Sequence, residues 1–204
     1  MARVRVLWTV CILASVLSMS CLRARPAQPA PNVQVTAPPN FPGVDPFYKK
    51  YVNCKGLPIL SSERVADAAL LRADFLVNHM LADREDIRAA LIKADVRIVI
   101  IGAQEQTTDI PEWSDMKPKE YVNERARGFG GRVTGCGEEN LLCLPIDRYD
   151  DENILVHEFA HCVHEYGLRR IDPEFDKKLK ALYQNARAKG LYENTYAGSN
   201  PGEY

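Results

Sequence analysis

Two histidines four residues apart, with an acid next to the first, are the residues of this chain best suited to chemistry: His157-Glu158-Phe159-Ala160-His161. In a helix, positions i and i+4 lie one above the other. Both imidazoles can then reach one divalent ion from the same face. Glu158 sits about a hundred degrees round the helix from His157. It is placed to reach a water on that ion but not to complete the ligand set. This is the His-Glu-x-x-His pattern of a zinc hydrolase. Zinc lowers the pKa of a bound water toward about 7, and the acid takes the proton as a general base. Ile154, Leu155 and Val156 make the helix entry apolar. A buried helix carrying two histidines and a glutamate is costly unless something compensates them, and a metal compensates all three.

Catalytic zinc takes three protein ligands and leaves one position open. The third ligand must come from elsewhere in the chain. Asp172, Glu174, Asp176, Glu193 and Glu203 are the late carboxylates, and spacing does not choose among them. His164 stands where the longer H-E-x-x-H-x-x-G-x-x-H pattern needs Gly, and Gly167 stands where it needs His, which excludes the metzincin arrangement. His164 is read as a supporting or surface residue, and His79 as an ordinary histidine on a helix. No C-x-x-C pair exists, which argues against a cysteine-only zinc site.

The metal helix should be capped by Asp150 or Asp151, run to about Tyr166 and stop at Gly167. Asp172-Pro173 opens the next helix, with Phe175, Leu179, Leu182 and Tyr183 inward and Gly190 ending it. Upstream, Gly56-Leu57-Pro58-Ile59-Leu60 reads as a strand or strand entry. Val65, Ala68, Ala69, Phe75, Leu76 and Met80 form one face of a helix over 62–81. A second helix over 84–94 presents Ile87 and Leu91. Residues 96–101 are β-branched and apolar except for Arg97, the pattern of a strand buried on both faces. Residues 104–135 read as a long irregular loop, in which Arg125, Arg127 and their neighbouring glycines form either a solvated turn or a loop closing over substrate. Residues 140–144 read as a short strand, the candidate edge for an extended peptide added by strand pairing. Helices and strands alternate, so an α+β (mixed α/β) single domain is expected.

A chain of 204 residues, 46% hydrophobic and 26% charged, can build one core. Its 26 basic and 27 acidic side chains leave no electrostatic footprint for nucleic acid. Arg3 and Arg5 precede an apolar run over 6–19, too short to span a bilayer, so residues 1–24 read as a signal peptide and the protein as secreted. Ser20-Cys21 keeps a membrane-tethered lipoprotein as one alternative, and a signal anchor that is never cut is the other. Residues 25–47 hold seven prolines and read as an extended linker, leaving 48–204 as the folded domain. Cys54, Cys136, Cys143 and Cys162 remain in an exported chain, so two disulfides are expected. The short spacing favours Cys136 with Cys143, which leaves Cys54 with Cys162.

The metal motif, a following helix, and Tyr196-Ala197-Gly198-Ser199-Asn200-Pro201-Gly202-Glu203-Tyr204 together resemble the anthrax lethal factor-like zincins, a gluzincin-type metallopeptidase family. The resemblance covers 151–204, roughly a quarter of the chain. It implies a zincin-like domain, a small sheet carrying the active-site helix, with Zn2+ as cofactor and a peptide or protein as substrate. It implies Glu203 as the third zinc ligand and Tyr196 as the residue that assists the transition state. In the family that glutamate is followed by further helix with an Ala-Glu pair. This sequence ends one residue after Glu203, so the domain is expected to be C-terminally truncated. Two rival readings follow: a catalytically inactive zincin-like binding module, or a zinc hydrolase acting on a non-peptide substrate.

Overall fold

The computed structural model of the chain describes residues 33–40 and 43–204. The expected signal peptide, Cys21 and residues 25–32 and 41–42 of the expected linker lie outside these residues. No helix among the described residues is long and apolar enough to cross a membrane.

The fold is mixed α+β, built on a five-stranded sheet of order β1-β2-β3-β5-β4. Strands β1 (Lys50–Cys54) and β2 (Leu57–Ser61) form a hairpin. Its turn is Lys55-Gly56, both at positive φ (48° and 94°), as two-residue hairpins require. Helices α1 (Asp67–Met80) and α2 (Glu85–Lys93) then cross over to β3 (Arg97–Ile101), which pairs parallel to β2. Strand β5 (Val133–Gly137) pairs parallel to β3, and β4 (Gly128–Phe129) closes the edge antiparallel to β5.

Period-two alternation divides β3 between two apolar layers. Ile98 and Ile100 join the main core with Val52, Leu57 and Ile59. Val99 and Ile101 join a second cluster with Tyr48, Leu60, Ile110 and Trp113 on the other face. The four apolar side chains of β3, Ile98 to Ile101, are fully buried, as the β-branched run predicts. Each contributes about 1.5–3 kcal/mol of transfer free energy. The face that helix α1 turns inward overlaps the expected one: Val65 and Ala69 are buried and Leu76 and Met80 pack on the main core, but Leu70, Ala73 and Val77 are buried too and Ala68 is exposed.

The stretch read as an irregular loop contains the short helix α3 (Lys119–Arg125), the edge strand β4 and the start of the interior strand β5. Its Val133-Thr134-Gly135-Cys136-Gly137 sequence lacks the apolar density of a buried strand, because close packing takes the place of side chains. A Cβ on Gly135 would lie 1.9 Å from the Val99 carbonyl oxygen, and backbone cannot yield. Gly135→Ala is therefore expected to cost about 3 kcal/mol or more. For a domain of this size that lowers the melting temperature by roughly 6–12 °C. A calorimetric midpoint within 2 °C of the parent, a shift of only about 1 kcal/mol or less, would refute the packing argument.

Residues 140–144 are not a strand. Residues Glu138–Leu141 form the short helix α4, and Leu142 is its C-cap. The described residues between 33 and 47 do more than space the domain. Val33 and Val35 pack on the main core, Thr36 bridges to Tyr51, and Val44 and Phe47 pack on the second cluster. The four described cysteines are free thiols, so neither expected pairing is formed. Cys54, Cys136 and Cys162 are buried, while Cys143 is exposed. Burial pushes the Cys54 and Cys162 thiols up to about 12, which makes them poor ligands and poor nucleophiles.

Candidate metal centre

Helix α5 (Ile154–Cys162) carries the motif. It starts three residues later than an Asp150 cap would have it and two later than an Asp151 cap, because Asn153 is its N-cap. The Asn153 side-chain oxygen accepts from Val156 N at 3.0 Å, and the Asn140 oxygen accepts from Ile154 N at 2.8 Å. Ile154, Leu155, Phe159 and Cys162 face the core. The opposite face presents His157 and His161, each about a third exposed. The helix does not stop at Gly167. It continues through a π-helical turn (Val163–Leu168) and a short α-helical piece, α6 (Arg169–Ile171). Gly167 is buried there, where a Cβ would meet the Ile87 side chain at 2.7 Å. Its role is close packing on α2, not termination.

The imidazole Nε2 atoms of His157 and His161 stand 3.1 Å apart. Glu203 Oε2 lies 3.4 Å from the first and 3.6 Å from the second. Three atoms held at the corners of a tetrahedral zinc shell with bonds near 2.0–2.1 Å would be about 3.3 Å apart. Glu203 Oε2 is buried and has no hydrogen-bond donor among the described residues. Lone pairs converging in this way repel unless a proton or a cation sits among them. A divalent cation would satisfy all three atoms at once, so the donor set fits zinc.

Glu158 also brings a carboxylate oxygen within 4.8 Å of the two imidazoles. Its surroundings differ from those of Glu203. Burial raises its pKa above the ordinary carboxylate value, opposed by His157 and by a hydrogen bond from the Gly130 backbone. A poised, hydrogen-bonded carboxyl beside the ligand cluster is suited to moving a proton. Tyr196 sits on a 3₁₀ turn with its ring centroid 5.9 Å from that of His157. The Glu203 charge, with some burial, raises its phenol above the usual 10, so it stays protonated and able to donate.

The other candidate ligands are engaged elsewhere. Asp172 pairs with Lys178 at 2.7 Å and Glu174 with Lys177 at 3.0 Å. Asp176 receives His164 at 2.7 Å and Arg169 at 2.8 Å, which also accounts for His164. Glu193 is exposed beside Gly190. His79 is exposed and packs on Phe75.

Sequence reasoning missed the strand that lies over the metal helix. After β4, Gly130 touches α5 so closely that a Cβ would stand 3.0 Å from His161 Cβ and 3.1 Å from Glu158 Oε2. Arg127 anchors this strand. It pairs with the buried Glu139 through both guanidinium and carboxylate, one contact being 2.9 Å, and donates to the carbonyls of Glu105 and Gly102. Glu138 accepts from the backbone of Ala66 and Ala103. Three successive polar residues on α4, Glu138, Glu139 and Asn140, thus tie three separate segments to the metal helix. The signal for this was the Glu-Glu-Asn run following Cys136-Gly137, which carries too much polarity for a strand.

The donors can bind a divalent cation, an adjacent carboxyl can exchange protons, and a phenol can donate to an oxygen near the ion. Compared with protein-family models, with curated proteins and with solved structures, the chain matches none.

Proposed function

We propose that the chain is a secreted zinc-dependent metallopeptidase in which His157, His161 and Glu203 hold the ion. The observation that carries this reading is the convergence of three ligand atoms at 3.1–3.6 Å, one of them a buried oxygen without a donor. Zinc bound there supplies a Lewis acid that acidifies water and polarises a carbonyl. Glu158 takes the proton from the attacking water and delivers it to the departing amine nitrogen. Burial of its carboxyl raises its basicity, which favours the first of these transfers. Tyr196 donates a hydrogen bond to the carbonyl oxygen as negative charge develops on it. Peptide backbone pairs along β4, the edge strand over α5, in place of the 140–144 segment.

The test is cleavage of an internally quenched peptide library by the purified, zinc-supplemented chain. Cleavage should be abolished by 1,10-phenanthroline and restored by added zinc. A chain that binds zinc stoichiometrically yet cuts no library member would instead favour a binding module or a non-peptide hydrolase.

A further inference from the structure

A cleft of about 610 Å³ opens beside the centre and has no part in the proton transfers above. Gly130 and Gly131, where the chain leaves β4, line it, and Gly130 is the residue packed against Glu158 and His161. Tyr166 and Arg170 also line it, one turn apart on the continuation of the metal helix. The Arg170 guanidinium lies 5.5 Å from the centroid of the Tyr166 ring. Arg132 and Glu112 supply the remaining charges. Glu112 already accepts a hydrogen bond from the Tyr48 hydroxyl. Arg132 and Arg170 are exposed, and neither pairs with a carboxylate among the described residues. Arg169, their neighbour, does pair, with Asp176.

We propose that this cleft is a subsite for a carboxylate of the peptide, bound by Arg132 and Arg170. The chain then prefers peptides with an acidic side chain or a free C-terminus close to the cleaved bond. Two unpaired guanidinium groups present planar forks of donors that match a carboxylate. The Tyr166 ring, packed on the main core, lies under Arg170 and holds that guanidinium at the cleft wall. The inference rests on the peptidase reading for the identity of the ligand, but its test does not need turnover.

The zinc-loaded Glu158→Gln chain is titrated, by fluorescence anisotropy, with three labelled peptides of otherwise equal sequence. One has Gln and an amidated C-terminus, one has Glu and an amidated C-terminus, and one has Gln and a free C-terminus. At low salt one or both carboxylate peptides should bind about fivefold tighter or better than the first. Whichever gains identifies the source of the carboxylate. The advantage should vanish in the Arg132→Gln/Arg170→Gln double variant, and shrink toward unity in about 1 M salt. Both arginines are exposed, so the double variant should melt with the parent. Equal affinity for all three peptides, or an advantage that the double variant keeps, would overturn the inference. A chain that cut none of the peptides would still bind them in this order.

Discussion

Glu158→Gln is expected to lower the rate of peptide cleavage by about 10³-fold with zinc content unchanged. The amide is nearly isosteric with the carboxyl and can still accept the Gly130 backbone hydrogen bond, but it cannot hold the proton of the attacking water. Positioned general bases contribute about 10²–10⁴-fold to rate. The residue is on the cleft side of α5, away from Phe159 and Leu155, so the melting temperature should hold within about 2 °C. The measurement is kcat on a quenched peptide together with metal content on the same preparation. Activity within tenfold of the parent would remove Glu158 from the mechanism. Loss of zinc from this variant would make Glu158 a ligand, a role its distance from the two imidazoles does not by itself forbid.

Glu203→Ala is expected to weaken zinc binding by about 10²-fold or more, since a structural fraction of a binding free energy of some 10–16 kcal/mol resides in each donor. The substitution removes the atom 3.4 and 3.6 Å from the two imidazoles. It leaves His157 and His161 on a helix whose packing does not involve residue 203. Affinity is read by competition with a chromophoric chelator, and the far-ultraviolet circular dichroism should not change. Zinc affinity equal to that of the parent would show that the third ligand lies elsewhere.

The motif on α5 was legible because both candidate ligands lie on one helix, where spacing fixes direction. Glu203 was not legible from spacing, since five late carboxylates were equivalent until tertiary structure paired Asp172, Glu174 and Asp176 with cations or a histidine. Only the resemblance carried by the terminal Tyr-to-Glu segment singled it out. Strand β3 was legible because burial on both faces demands an unbroken apolar run. Strands β4 and β5 were hidden, because Gly128 and Gly135 exchange side-chain signal for backbone approach. The polar run on α4 misled for the opposite reason. Leu141, Leu142 and Leu144 gave an apolar run that reads as a strand but is too short to separate strand from helix, and the buried acids that define the segment act only through partners distant in sequence.

The claim on which the account stands is that two imidazoles and one carboxylate share a single zinc ion. X-ray absorption at the zinc edge of the dialysed, zinc-loaded chain tests it most directly. The expected spectrum has nitrogen and oxygen neighbours at about 2.0–2.1 Å and the outer-shell scattering of two imidazole rings. Zinc lost on dialysis, or a sulfur shell at about 2.3 Å, would contradict it.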